Sequence, residues 1–92
     1  MFLLIALFAC SDAKSILALE GDPTNGEAIF ADNCAVCHGA DALGGSGPDI
    51  AGITPSAEDV NIIQNGEDEM PGFADTLSDQ DIADVLSWLE EQ

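Results

Sequence analysis

The sequence predicts a single all-α domain. Three stretches carry that expectation. From Ser78 to about Glu91, apolar Ile82, Val85, Leu86 and Leu89 recur at i, i+3, i+4 and i+7 behind a capping serine. Ser56 to Asn65 reads as a short helix with Ser56 as its cap and Gly66 as its stop. Thr24 and Glu27 have the T-x-x-E spacing that opens a helix with a capping box. At 92 residues the chain allows one domain. A core this small commonly depends on a staple such as a disulfide, a metal or a bound group.

Charge narrows the function. Eighteen acidic residues face the single Lys14, for a net charge of −17. Almost nothing is present to neutralise phosphates, which excludes nucleic-acid binding. The balance fits a basic partner, or simply a solvated, self-repelling surface.

In chain order, Met1 to Ala9 is an apolar run too short to stay in a bilayer as a spanning helix, and it reads as an export segment. Leu7-Phe8-Ala9-Cys10 resembles the bacterial lipobox. That resemblance implies cleavage before Cys10, a lipid on Cys10, and a mature chain held on the periplasmic side of a bacterial membrane. The alternative is an ordinary signal peptide cut further along. Residues 10–23 are expected to be a tether, because Ser11 to Pro23 lacks sustained periodicity and ends in Gly21, Asp22 and Pro23. Fully extended, it spans at most about 45 Å. The Ile16–Leu19 cluster within it either packs on the domain or lies at the lipid surface.

The domain itself is expected over residues 24–92. After the helix opened by Thr24, which carries Ala28, Ile29 and Phe30, comes Cys34-Ala35-Val36-Cys37-His38. C-x-x-C-H is the spacing of covalent haem attachment: two thiols add to the haem vinyl groups and the next imidazole binds the iron. Two other chemistries use C-x-x-C. A dithiol redox pair belongs in a βαβ context, and a structural zinc site needs a second ligand pair. Neither is present, since Cys10 is the only other cysteine and His38 the only histidine.

Downstream, Gly44, Gly45 and Gly47 lead to Pro48-Asp49-Ile50. A phosphate-binding loop would need a preceding strand and a Lys or Ser/Thr partner at the following helix, so this stretch reads as the wall of a haem pocket, where glycine lets backbone approach the ring. Of the two methionines, Met1 belongs to the export segment, so a thioether ligand, if the iron takes one, is Met70. A lone methionine can equally fill core space.

Taken together, Gly26 and Phe30, C-x-x-C-H, Gly47-Pro48 and Asn65-Gly66…Met70-Pro71…Phe73 resemble the class I c-type cytochromes over about residues 25–91. The resemblance implies a cytochrome c-like fold of three to four short helices around one covalent haem c. It gives Cys34 and Cys37 the thioether bonds and makes His38 and Met70 the axial iron ligands. It assigns the Pro48 carbonyl as acceptor from His38, Ile50 and Phe73 to haem packing, and Trp88 to packing against Gly26 and Phe30. The implied function is single-electron transfer between periplasmic or membrane redox partners, with no enzymatic activity. A peroxidase-like site would need a distal His or Arg, and the chain has no spare His and no Arg. The rival reading is a haem-based sensor or gas-binding module in which Met70 is displaced.

Overall fold

The computed structural model describes residues 13–92. The export segment, its cleavage site and Cys10 lie outside the described residues. Among the described residues five helices follow in order: α1 Ala13–Leu17, α2 Pro23–Asn33, α3 Ala35–His38, α4 Ala57–Asn65 and α5 Asp79–Glu90. No strand forms among the described residues, and the isolated bridge between Glu67 and Met70 is a tight turn. The all-α expectation holds.

The two downstream helices start where the sequence places them. Ser56 and Asp59 form a reciprocal capping box at α4, and Ser78 and Asp81 do the same at α5. Each pair satisfies backbone donors that the first helical turn leaves open. Helix α2 starts differently. Its cap is Asp22, whose carboxylate accepts from the Thr24 backbone N–H at 3.0 Å, and Pro23 occupies the first turn. Proline fits there because its φ is already helical and its missing N–H would have gone unpaired. Thr24 therefore lies inside the helix rather than capping it.

Helices α2 and α5 cross at Gly26. A Cβ at this position would fall inside the van der Waals envelope of the Asp84 carbonyl, so only glycine permits the approach. One turn on, Phe30 packs on Trp88 with ring centroids 4.8 Å apart and planes tilted by 38°. Such a pair adds about 1 kcal/mol beyond its area burial. Ile82, Val85, Leu86 and Leu89 are all buried, as their periodicity requires.

Helix α1 is a departure from the sequence reading. Where a tether is expected, Ile16 is 1 % exposed and joins the core, with α1 packed on α4 and α5. Burying one isoleucine is worth roughly 1.5–3 kcal/mol, enough to hold a single turn that has little helical stability alone. Of the Ile16–Leu19 cluster, Ile16 thus packs on the domain, while Leu17 and Leu19 stay exposed.

Asp84 is the buried acid of this interface, 3 % exposed in the middle of α5. Its carboxylate accepts from the Asp22 backbone N–H at 2.8 Å, from Asn25 Nδ2 at 2.7 Å and from Gln80 Nε2 at 2.8 Å. Burial pushes its pKa up, but these three donors outweigh burial and hold it below the usual carboxylate value. A depressed folded-state pKa contributes stability that is present above the ordinary value of about 3.9 and lost as pH falls through the folded one. Asp84→Asn is expected to cost roughly 1.5–3 kcal/mol at pH 7, lowering Tm by about 6–24 °C. Thermal melts of both proteins should draw together as pH falls from about 4 and through the lowered folded-state pKa, where the wild type loses its own charge.

Candidate haem site

The site is built outward from α3. Only four residues long, this helix continues from α2 through Cys34, and it presents Cys37 and His38 at its end. Its terminal carbonyls are taken up by the glycine loop that follows: Gly44 N–H donates to His38 O at 2.8 Å and Gly47 N–H to Cys37 O at 2.7 Å. Orphan carbonyls at a helix end are normally satisfied in this way. The loop thereby folds back beneath the imidazole. At Gly47 a Cβ would sit 3.0 Å from His38 Cε1 and Nδ1, so the close passage of this backbone depends on glycine.

His38 is buried, and its Nδ1 lies 2.8 Å from the Pro48 carbonyl oxygen. A carbonyl can only accept, so Nδ1 carries the proton and Nε2 keeps its lone pair. Metal-binding imidazoles are commonly oriented by such a bond on the nitrogen away from the metal.

His38 opens onto a cavity of about 750 Å³. One part of the lining is apolar, from Ile50, Ile53, Ile62, Ile63, Leu86 and Leu89. Cys37, Pro48 and Met70 line the same space, and Asp59, Glu67, Asp68 and Glu69 add an acidic border. A cavity of this size with a largely apolar lining and a few polar groups is suited to a sizeable, mostly apolar ligand. The cavity therefore brings together Cys37, His38, Pro48, Ile50 and Met70. Two expected site residues are not in its lining. Cys34 is half-buried against the core, and Phe73 likewise packs on core residues.

Burial, reinforced by the neighbouring Cys37, pushes the Cys34 thiol up to about 11, which disfavours the free thiolate that a dithiol redox centre needs. Cys34 and Cys37 are not bonded to each other. Among the described residues, no three His, Cys, Asp or Glu side chains gather as metal ligands. An imidazole with a free Nε2, a thioether and an apolar slot suit an iron porphyrin. In this fold, then, the chain has the side chains to hold haem.

Sequence reasoning gave no sign of Ile53 in the lining, because Ala51-Gly52-Ile53-Thr54-Pro55 has no period. Nor did it foresee the buried Asp84, one acid among several on a helix whose acids would all be expected in water.

The chain matches the family model described as "Cytochrome C oxidase, cbb3-type, subunit III" over residues 21–89. It is 37 % identical to a cytochrome c-553-like protein of Synechocystis sp., over 98 % of this chain and 91 % of that protein. Among solved structures, cytochrome c6 from the diatom Phaeodactylum tricornutum aligns at a TM-score of 0.59 with 30 % identity, covering 77 % of this chain and 93 % of the other. Dihydro-heme d1 dehydrogenase NirN aligns at 0.65 with 33 % identity over 72 % of this chain, a match that spans only 16 % of that larger protein.

Proposed function

The chain belongs to the c-type cytochromes, as a small class I member that carries one covalent haem c and transfers electrons, and we propose how its own residues serve that function. Cys34 and Cys37 would supply the two thioether sulfurs that hold the haem, and His38 Nε2 and Met70 Sδ would ligate its iron. The observation that carries this reading is that Cys37, His38 and Met70 line one largely apolar cavity, with His38 already oriented by Pro48. When bound, haem c supplies a one-electron ferric/ferrous couple. The isoleucines and leucines of the lining exclude water and hold the local polarity low, and Ile50, one of them, would pack against the bound group. Phe73 supports that wall from the core side.

His38 and Met70, both bound to the iron, would leave it no position for oxygen or substrate, and the chain would act as a carrier rather than an enzyme. A thioether ligand favours the ferrous state and raises the potential. The carboxylates of Glu67, Asp68 and Glu69 act in the opposite direction, but they are exposed and screened by water and salt. The ligand effect dominates, and the potential is positive.

The same carboxylates border the cavity and face solvent, which supports a basic docking face on the redox partner. Electron-exchange rates with a cationic partner protein should fall steeply, by about tenfold or more, between low and physiological ionic strength. Stopped-flow rates that stay flat across that range would reject steering by this border.

Location forms part of the proposal. The Leu7-Phe8-Ala9-Cys10 pattern supports export with a lipid on Cys10, placing the domain at the periplasmic side of a membrane. Helix α1 begins at Ala13, so an anchor at Cys10 would hold the domain close to the bilayer surface. Among the described residues, no helix is long and apolar enough to cross a membrane.

A further inference from the structure

The segment that brings Met70 to the cavity is held at both ends by helix α4. Upstream, Gly66 N–H donates to Ile62 O at 2.7 Å; downstream, Phe73 N–H donates to Ile63 O at 2.8 Å and Ala74 N–H to Gln64 O at 3.1 Å. Between these fixed points the chain closes a two-residue turn. Glu67 N–H donates to Met70 O at 3.0 Å and Met70 N–H to Glu67 O at 2.9 Å, with Asp68 and Glu69 at the tip. Asp68 has φ 55°, in the left-handed region. A tight turn with positive φ at its first central residue usually takes glycine there, and among other residues Asn and Asp tolerate it best.

We propose that Asp68 is a positioning residue for the sixth ligand: its left-handed backbone closes the Glu67–Met70 turn and fixes the thioether in the cavity. The proposal rests on the reading of Met70 as an iron ligand. It concerns backbone conformation, not charge, although Asp68 also lies on the acidic border. An extended residue at 68 would open the paired hydrogen bonds and release the Met70 backbone, while the rest of the fold, anchored through α4, stayed in place. No other described non-glycine residue has positive φ except Ala42, which lies in the loop after α3.

Asn and Val separate the two roles. Asn removes the charge and keeps the tolerance for positive φ, whereas Val removes both. The test uses haem-loaded wild type, Asp68→Asn and Asp68→Val, with Asp68→Ala as a milder variant should the valine protein load poorly. The readouts are imidazole affinity of the ferric protein, the long-wavelength band of thioether-bound ferric iron, and far-UV helical content. Asp68→Asn should bind imidazole within about twofold of wild type, and Asp68→Val about tenfold more tightly with a weakened thioether band, the scale set by forcing a β-branched residue into the left-handed region. Helical content should be unchanged. Equal shifts in Asn and Val would assign the effect to charge and overturn the proposal, as would a valine protein indistinguishable from wild type. A wild-type protein without the thioether band would overturn the ligand reading, and the positioning role with it.

Discussion

Replacing Met70 with alanine is expected to lower the midpoint potential by on the order of 0.1 V or more, within the range of about 0.8 V that axial ligands command. The reason lies in the ligand set: Met70 is the one thioether among the cavity-lining side chains, and no second histidine exists to take its place. Water or hydroxide, which favours ferric iron, would fill the position. The reduced variant should then bind carbon monoxide readily, while the reduced wild type, with Met70 on the iron as proposed, should bind it weakly. This pair of measurements also separates the electron carrier from the rival sensor, in which the wild type itself would exchange its methionine for gas. Unchanged potential and carbon monoxide affinity in Met70→Ala would remove methionine from the coordination sphere.

The second large effect is structural. Gly26→Ala is expected to destabilise the domain by about 3 kcal/mol or more, lowering Tm by roughly 12–24 °C. The added methyl meets the Asp84 carbonyl and the Val85 backbone, and backbone cannot move aside as a flexible side chain can. The helices would have to separate, and with them the Phe30–Trp88 contact and the hydrogen bonds from Asp22 and Asn25 to Asp84. Calorimetry of the haem-loaded variant checks this, and a Tm within a few degrees of wild type would show that the crossing is looser than its geometry. Because the His38–Pro48 bond lies apart from this crossing, the optical spectrum of whatever variant folds should remain that of wild type.

The difference between what was legible in the sequence and what was not follows the range of the interactions. C-x-x-C-H is a local motif, and it identified the cofactor because vinyl addition and axial ligation constrain residue types at fixed spacing. The face of α5 was legible because four apolar side chains repeat with the helical period, and the capping serines at 56 and 78 were legible because each cap closes within four residues. The crossing at Gly26 was reachable through family resemblance, since glycine by itself does not say what approaches it. Long-range packing was not legible. Ile16 is fixed by α4 and α5, elements more than forty residues away, so its own neighbourhood reads as a linker. Asp84 looks like any surface acid until donors from Asp22 and Asn25 are seen to converge on it. At α2 the Thr24…Glu27 spacing put the cap two residues too late: Asp22 caps the helix, because proline at 23 suits its first turn. The displacement of Cys34 from the cavity lining is likewise a packing outcome, set by the core side of the α2–α3 junction.

Mass spectrometry of the peptide containing Cys34 and Cys37, cut from native protein under denaturing and reducing conditions, bears most directly on haem attachment. The expected peptide carries the added mass of one haem, with neither cysteine available to an alkylating reagent. A peptide of bare sequence mass, alkylated at both thiols, would contradict covalent haem attachment at this motif.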